Sequence, residues 1–210
     1  MQSNKAKAIL LGYSGHGMVL AEAASLAGID IFGYAGPNEA SSNPYGLEFL
    51  GSERKPDFRW SDCKSYLLGV GSNELRERIA NRVYQMGGEC LTIIHPDSHL
   101  AQKITVDEGT FIARNVSVNP MVKIGKNVIL NTSCSVDHEC VIGDHVHIAP
   151  GAVLAGSVTV NDGAFVGANA VLKEGVRIGR YATIGAGSVV TCHVSDNQTV
   201  VGNPARNINQ

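Results

Sequence analysis

A strict six-residue period runs through the second half of the chain. Fifteen successive positions, six residues apart, are all aliphatic. The next residue in each hexad is usually Gly, Asn, Asp or Ala, and the fourth residue after the aliphatic one is small or β-branched. Neither a helix nor an alternating strand has this period. The positions are Val106, Ile112, Val118, Ile124, Leu130, Val136, Ile142, Ile148, Leu154, Val160, Val166, Leu172, Ile178, Ile184 and Val190.

Such hexads are typical of a parallel β-helix. Each hexad supplies a short flat strand whose aliphatic side chain points inward, and the following small or polar residues supply the turn. Three hexads close a triangular coil of about eighteen residues, and stacked coils bury a continuous aliphatic column. A β-sandwich of short strands would show no strict period. The flat faces of such a prism favour self-association, so we expect a trimer.

The first half alternates between apolar strands and amphipathic helices. This order predicts a small parallel α/β sheet of the Rossmann-like type. The section 35–62 lacks periodicity and is expected to be rich in loops. We place a Rossmann-like domain at 1–97 and the β-helix at 98–210. The predicted strands are 6–11, 29–34, 65–70 and 90–94, and the predicted helices are 18–27 and a segment carrying Leu75, Ile79, Val83 and Met86.

The glycine-rich loop after the first strand does not fit a dinucleotide fingerprint. Its glycines are Gly12, Gly15 and Gly17, and Ser14 stands where the fingerprint needs its second glycine. No acidic residue follows the second strand to hold a ribose. A redox cofactor is therefore not expected. The loop still joins a strand to a helix N-terminus, which suits a phosphate or sugar-nucleotide group.

Composition excludes several classes of function. The net charge is −2 and the basic residues are scattered, which argues against nucleic acid or an anionic membrane as a partner. No apolar run is long enough for a membrane span and no signal-peptide pattern opens the chain, so a cytoplasmic protein is expected. The five cysteines show no CxxC spacing. Cys134 and Cys140 occupy the small inward position, so we expect them to serve in packing.

One charged triplet interrupts the repeat: Asp137, His138 and Glu139. One coil beyond His138 lies Gly156, so the stacked neighbour of the histidine has no side chain. This arrangement leaves an open slot beside the imidazole and exposes a backbone N–H. A thioester carbonyl placed there would have an oxyanion donor, and an approaching amine would meet a general base.

With both halves considered, the sequence resembles the sialic-acid O-acetyltransferase-like sugar acetyltransferases over nearly its whole length. The resemblance implies a Rossmann-like domain that binds a sugar nucleotide and a left-handed β-helix that binds acetyl-CoA between subunits. It also implies a homotrimer with active sites at subunit interfaces. The motifs that carry it are SGHG at 14–17, GSNELR at 71–76, NTS at 131–133, HECVIG at 138–143, His147, Ala155-Gly156 and GNPA at 202–205.

Within that family the chain is similar to the branch that N-acetylates the 4-amino group of UDP-4-amino-4,6-dideoxy-N-acetylglucosamine in bacillosamine synthesis. Relatives tend to have an acidic pair after the second strand that contacts the nucleotide or the sugar. Here the residues are Ala35, Gly36, Pro37 and Asn38. Because of this difference, the sequence does not determine which nucleotide base or which sugar is bound. O-acetylation of a sialic-acid-type sugar is the alternative reaction.

The predicted mechanism is direct transfer from acetyl-CoA to the sugar amine, without a metal. His138 is the expected general base, and Glu139, which the resemblance favours over Asp137, orients it. The expected acetyl-CoA-binding residues are His147, Gly156, Gly185 and Ala186. The expected substrate-binding residues are Ser14, Gly15, His16, Gly71, Asn73 and Asn131. We expect no site role for His145, which should be exposed.

Two other classes of protein use the same fold. A zinc enzyme of the γ-carbonic-anhydrase type needs three converging imidazoles. The position two coils before His147 is Phe111, so the spacing does not favour that site. A purely structural scaffold would give no reason for a charged triplet facing a glycine.

Overall fold

The computed structural model describes residues 7–60 and 63–208. The N-terminal domain is a five-stranded parallel sheet in the order β3-β2-β1-β4-β5 with two helices. Because the strand order reverses between β1 and β4, the loops after these two strands open a crevice at the carboxyl edge of the sheet. The elements are β1 Lys7–Leu11, α1 Gly15–Leu26, β2 Asp30–Ala35, β3 Glu48–Phe49, β4 Ser65–Leu68, α2 Asn73–Gln85 and β5 Glu89–Cys90.

The predicted elements of this domain are present with shifted ends, except for the strand predicted at 90–94. That segment is divided between β5 and a separate strand, Ile93–Ile94, which pairs with the β-helix. Helix α1 begins at Gly15, three residues before the predicted start, with Ser14 at the N-cap position. Gly17 is required there, since a Cβ atom would collide with the carbonyl oxygen of Gly12. The short strand β3 was not predicted, because two residues carry no periodic signal. Met86, predicted to continue the apolar stripe of α2, follows the helix and is 50% exposed.

The described part of the second half forms three β-sheets of six, five and eight strands. All their pairings are parallel except that of β24 with β23. The strands are β6 Ile93–Ile94, β7 His99–Leu100, β8 Thr105–Val106, β9 Phe111–Ile112, β10 Ser117–Val118, β11 Lys123–Ile124, β12 Ile129–Leu130, β13 Ser135–Val136, β14 Val141–Ile142, β15 His147–Ile148, β16 Val153–Leu154, β17 Thr159–Val160, β18 Phe165–Val166, β19 Val171–Leu172, β20 Arg177–Ile178, β21 Thr183–Ile184, β22 Val189–Val190, β23 Thr199–Val201 and β24 Arg206–Asn207.

The strand register confirms the eighteen-residue coil. Val118 pairs with Val136, and Val136 pairs with Leu154. Of the fifteen periodic aliphatic residues, all except Val106 are at most 2% exposed. They fill the interior of the prism, and burial of this column is the main favourable contribution to the stability of the repeat.

The corners of the prism use left-handed backbone conformations at regular intervals. Asn127, His145 and Gly163 have φ values of 54°, 58° and 68° and are one coil apart. Residues with side chains rarely adopt this conformation. The chain tolerates it here because the parallel sheets on either side fix the turn.

The two domains share one hydrophobic core. Ala21 and Ala24 of α1 belong to the same buried cluster as Ile93, Phe111 and Ile129 of the β-helix. Strand β6 already pairs with β9, so the first strand of the β-helix precedes the predicted boundary at 97/98. Among the described residues, no helix is long and apolar enough to cross a membrane.

Candidate active site

The charged triplet lies at a corner of the prism directly after β13. Glu139 has a φ of 60°, and this left-handed turn places its side chain next to that of His138. The stacked neighbour of His138 is Gly156. A Cβ atom built on Gly156 would lie 2.5 Å from Cε1 and 2.8 Å from Nε2 of the imidazole. The imidazole therefore occupies the space that any side chain at position 156 would take.

Glu139 rather than Asp137 holds the imidazole. The Nδ1 atom of His138 is 3.0 Å from Oε2 of Glu139. Because an ionised carboxylate only accepts hydrogen bonds, this contact assigns the proton to Nδ1 and leaves Nε2 as a free base. The Oδ1 atom of Asp137 instead accepts from Asn119 Nδ2 at 2.7 Å and from the backbone N–H of His138 at 2.8 Å. These hydrogen bonds lower the pKa of Asp137.

Gly156 offers a backbone donor beside this base. Its carbonyl oxygen accepts from the N–H of Gly175 at 3.0 Å, whereas its own N–H has no hydrogen-bond partner among residues 7–60 and 63–208. The side chain of His138 is 51% exposed, so a substrate can reach it in a single protomer. A free base and an unpartnered N–H at one corner are the components that acyl transfer requires.

Two cysteines of the prism, Cys134 and Cys140, are packing residues, as predicted. Cys134 and Cys140 are fully buried. Burial raises the pKa of Cys134 to about 12 and that of Cys140 to about 11. The thiol of Cys140 donates to the carbonyl oxygen of Ala155 at 3.2 Å. Thiols held protonated in this way are poor nucleophiles.

A cavity of about 420 Å³ opens at the crevice between the loops after β1 and β4. Ser14 and Gly71, both predicted to bind substrate, line it together with Pro37 and Asn38. The side chain of Ser14 makes no capping hydrogen bond to α1. A Cβ atom on Gly15 would meet nothing within 4 Å, so the start of α1 faces open space. This crevice matches the place where parallel α/β domains bind phosphorylated ligands.

His16 points away from that cavity and towards the β-helix. Its ring lies 5.7 Å from the ring of Phe111 and 6.2 Å from that of His147, measured between centroids. The Nε2 atom of His16 is buried without a hydrogen-bond partner. Burial, and secondarily the charge of Arg76, lowers the pKa of His16 to about 4.

His147 lies inside the contact between the two domains. Its side chain is buried, with Nδ1 3.2 Å from the carbonyl oxygen of Gly71 and Nε2 3.1 Å from Nδ2 of Asn131. Since the carbonyl must accept, Nδ1 carries the proton, and Nε2 accepts from the amide of Asn131. Burial, with a further contribution from Arg76, lowers the pKa of His147 to about 4. Within one protomer these hydrogen bonds therefore link His147 to Asn131 and to the loop at Gly71.

Asn73, which was predicted to bind substrate, makes its hydrogen bonds across the junction between the two domains. Its Nδ2 atom donates to the carbonyl oxygens of Gly163 and Ala164, each at 3.0 Å, and its Oδ1 accepts from Arg76. Both polar atoms of Asn73 are thus used in joining the domains. The sequence motif does not reveal whether Asn73 faces a ligand or the prism.

Arg76 also lies at this junction, although no individual role was predicted for it. The residue is 1% exposed, and its guanidinium donates to the carbonyl oxygens of Asn127 at 2.8 Å and His145 at 2.6 Å. Together with Asn73, which reaches Gly163, it binds the same corner of three successive coils. The sequence did contain a signal: Arg76 lies one helical turn before Ala80, so both residues lie on the buried face of α2.

The prediction for His145 was wrong. The residue is half-buried rather than exposed, its carbonyl oxygen binds Arg76, and its Nδ1 atom is buried without a partner. Burial lowers its pKa. The repeat could not reveal this, because the N-terminal domain covers that corner.

Gly185 and Ala186 lie on another corner from His138. They follow β21, whereas His138 follows β13, and the two strands belong to different sheets. Ala186 is exposed. One protomer therefore does not bring the two predicted acetyl-CoA-binding regions together, and this part of the site stays a prediction. No group of three or more His, Cys, Asp or Glu side chains in the described residues is arranged to hold a metal ion.

Stacked coils of hexads, together with the His138–Glu139 pair next to Gly156, are typical of a hexapeptide-repeat acyltransferase. Residues 121–156 and 157–192 match the family described as bacterial transferase hexapeptide (six repeats). Residues 7–83 match the PglD N-terminal domain. The chain thus joins a PglD-type N-terminal domain to bacterial-transferase hexapeptide repeats. No match is found among curated proteins.

Solved structures of the same architecture cover almost the whole chain. The acetyltransferase domain of PglB from Neisseria gonorrhoeae in complex with acetyl coenzyme A is 28% identical, with a TM-score of 0.87 over 98% of this chain and 100% of that one. A histidine variant of perosamine N-acetyltransferase from Caulobacter crescentus, in complex with CoA and GDP-perosamine, is 27% identical, with a TM-score of 0.90 over 97% of both chains. WeeI from Acinetobacter baumannii is 27% identical, with a TM-score of 0.86 over 97% and 100%.

Proposed function

We propose that this protein transfers the acetyl group of acetyl-CoA to the 4-amino group of a nucleotide-linked amino sugar, UDP-4-amino-4,6-dideoxy-N-acetylglucosamine. The observation that carries the proposal is the corner at which Glu139 holds the imidazole of His138 against Gly156. The related structures that contain acetyl-CoA, or CoA with GDP-perosamine, support the two substrate classes.

In this mechanism the sugar amine attacks the thioester carbonyl carbon directly. Nε2 of His138 takes the proton of the amine, and Glu139 stabilises the imidazolium that forms. The N–H of Gly156 donates to the oxyanion of the tetrahedral intermediate. When the intermediate collapses, the thiolate of CoA leaves and takes the proton from the imidazolium. The absence of a reactive thiol at this corner favours direct transfer over an acyl-enzyme.

The N-terminal crevice is the proposed site of the nucleotide-linked sugar. The unused hydroxyl of Ser14 and the open start of α1 at Gly15 suit the diphosphate. Gly71 lines the crevice, whereas His16 and Asn131 lie behind it. Their contacts with one another and with His147 support a role in shaping the sugar end of the site.

The active unit is proposed to be a homotrimer. On the outer face of the sheet that contains β16 and β19, Val153 and Val171 are each 40% exposed and lie directly above one another. A vertical apolar stripe on a flat face suits packing against a second prism. Such packing would bring Gly185 and Ala186 of one subunit towards His138 of another. Light scattering coupled to size exclusion measures the assembly, and a monomer at assay concentration would contradict it.

The function is tested by thiol release from acetyl-CoA with UDP-, GDP- and dTDP-linked 4-amino sugars and with a sialic acid as acceptors. We expect the UDP-linked amine to be acetylated, with the product confirmed by mass spectrometry. Acetylation of the sialic acid alone would favour the O-acetyltransferase and overturn the proposal.

The base is tested by His138→Asn, which should lower turnover by about a hundredfold or more. His99→Asn, on an exposed position of the same prism, is the matched control. A His138→Asn variant with near-native kcat would remove His138 from the mechanism.

A further inference from the structure

The proposed general base is an exposed side chain that must nevertheless be held in one place. The side chain of His138 is 51% exposed, and that of Glu139, which holds its Nδ1 atom, is 62% exposed, so packing fixes neither group. The imidazole lies directly against the backbone of Gly156. A displacement of about 1 Å at a reacting group can lower a rate about a hundredfold. The turn that carries the base therefore has to be fixed by other interactions.

Asn119 lies one coil before Asp137 at the same corner of the prism. The strand register places it there, since Val118 pairs with Val136. The Nδ2 atom of Asn119 donates to Oδ1 of Asp137 at 2.7 Å. The same oxygen accepts the backbone N–H of His138 at 2.8 Å. One carboxylate oxygen thus connects a side chain of the preceding coil to the main chain of the base.

The charge of Asp137 strengthens this shared contact. The hydrogen bond from Asn119, and secondarily that from the N–H of His138, lowers the pKa of Asp137. The carboxylate is therefore ionised at neutral pH, and hydrogen bonds to an ionised acceptor are stronger than those between neutral groups. The main chain adds a second connection, because the N–H of Glu139 donates to the carbonyl oxygen of Pro120 at 3.1 Å. The preceding coil thus supports the turn of the base at two points.

A carboxylate at another corner of the prism connects its coils in a different way. Oδ1 of Asp144 accepts directly from the backbone N–H of Lys126, one coil before it, at 2.8 Å. Asp137 instead binds the N–H of its own turn, and Asn119 supplies the connection to the preceding coil. The hydrogen bond of Asn119 therefore acts on the residue that carries the base.

We propose that Asn119 is a positioning residue for acetyl transfer, which through Asp137 fixes the turn that holds the imidazole of His138 against Gly156. This inference rests on the proposed function. Without the amide of Asn119, Asp137 and the N–H that it binds lose their connection to the preceding coil, and the imidazole is no longer held at one position. Because Asn119 acts on the base, its loss should lower kcat and leave the KM for acetyl-CoA unchanged.

The first test is Asn119→Ala, which should lower kcat about tenfold, as expected for the loss of one hydrogen bond. Asn161→Ala is the matched control, because the amide of Asn161 donates to the carbonyl oxygen of Ile178 at another corner. Thermal unfolding of both variants shows whether they are folded. A native kcat in Asn119→Ala, or a loss confined to the KM for acetyl-CoA, overturns the proposal.

A double-mutant cycle shows whether Asn119 acts through the base. In a His138→Asn background, Asn119→Ala should cause no further loss of kcat, since there is no longer a base to position. A general effect on the fold would lower kcat by the same factor in both backgrounds. Additive losses therefore overturn the proposal.

An exchange of the two side chains tests the pair itself. Asn119→Asp places two carboxylates side by side and should lower kcat about tenfold or more, because like charges that face each other across adjacent strands repel. Adding Asp137→Asn provides an amide that donates to the new carboxylate, while its Oδ1 atom still accepts the N–H of His138. The kcat of the double variant should return to within about threefold of the native value. A double variant as impaired as Asn119→Asp alone contradicts the proposed pair.

Amide hydrogen exchange followed by NMR separates this inference from the proposed function, because it needs no activity. Asn119→Ala should speed exchange of the N–H of His138 about threefold or more, whereas Asn161→Ala should not. Faster exchange in a protein that acetylates no amine shows that Asn119 holds the turn and that the proposed function is wrong. Unchanged exchange and unchanged kcat, in a protein that acetylates the UDP-linked amine, show that the positioning role is wrong and that the function stands.

Discussion

The imidazole of His138 and the backbone of Gly156 share one corner of two adjacent coils, and the space between them excludes even a methyl group. The register of the neighbouring strands fixes this relationship, since Val136 pairs with Leu154. The side chain of Glu139 closes the arrangement from the same turn. Three residues separated by at most one coil thus form the proposed acyl-transfer centre.

Gly156→Ala should reduce kcat by at least about tenfold, because the new methyl group must displace the imidazole that acts as base. The glycine has no left-handed φ, so alanine itself should cause little backbone strain. Steady-state kinetics measure the effect. The control is the same substitution in a His138→Ala background, where it should cost little further activity. A fully active Gly156→Ala protein would contradict the geometry.

Glu139→Gln and Asp137→Asn should differ in their effects. Loss of the carboxylate that holds Nδ1 of His138 should lower kcat about tenfold or more, with little change in the KM for acetyl-CoA. Asp137 instead binds Asn119 and the backbone, so its amide variant should be much less affected. Equal losses in the two variants would show that Asp137 orients the base as well.

Cys140→Ala should retain most of the activity, because the buried thiol forms no intermediate in direct transfer. In thiol titration of the native protein the exposed Cys192 should react, while Cys134 and Cys140 should become accessible only after unfolding. Mass spectrometry after incubation with acetyl-CoA alone should detect no acetylated cysteine. An acetyl adduct on Cys140 would instead indicate a covalent mechanism.

Arg76→Met should lower the free energy of unfolding by about 3–5 kcal/mol, because several buried carbonyl oxygens lose their donor. Arg76→Lys should rescue little of it, since an ammonium lacks the planar fork that reaches two coils at once. Denaturant unfolding measures both variants against Lys64→Met, which removes an exposed cation. A loss under about 1 kcal/mol would show that the junction does not depend on this residue.

Acidification should destabilise the protein through the domain junction. The pKa values of His16 and His147 are lowered to about 4, whereas in the unfolded chain a histidine titrates near 6.5. Between these values the unfolded state binds more protons, so stability falls as the pH drops from about 6.5 to about 4. The upper bound is on the order of 3 kcal/mol for each histidine.

Thermal unfolding between pH 7 and pH 4.5 measures this dependence. His147→Gln should flatten the pH dependence of the Tm, whereas His99→Gln, on the exposed surface, should leave it unchanged. An unchanged slope in the His147→Gln variant would place the acid sensitivity elsewhere.

Much of the fold could be predicted from the sequence because each coil repeats the previous one, displaced along the axis of the prism. Residues eighteen apart in the chain are neighbours in space wherever the period holds, so the pairing of Val136 with Leu154 followed from counting. The same counting predicted the contact between His138 and Gly156. The short strand β3 at Glu48–Phe49 was missed because it pairs with β2 through tertiary context alone.

The sequence by itself determined the prism, its inward aliphatic column and the corner where a base meets a glycine. Only the tertiary structure decided that His147 turns into the domain junction and that Asn73 and Arg76 bind the prism. The physical reason is the range of the interactions. A periodic coil converts chain distance into spatial distance, whereas Arg76 and His145 are 69 residues apart and no period relates them.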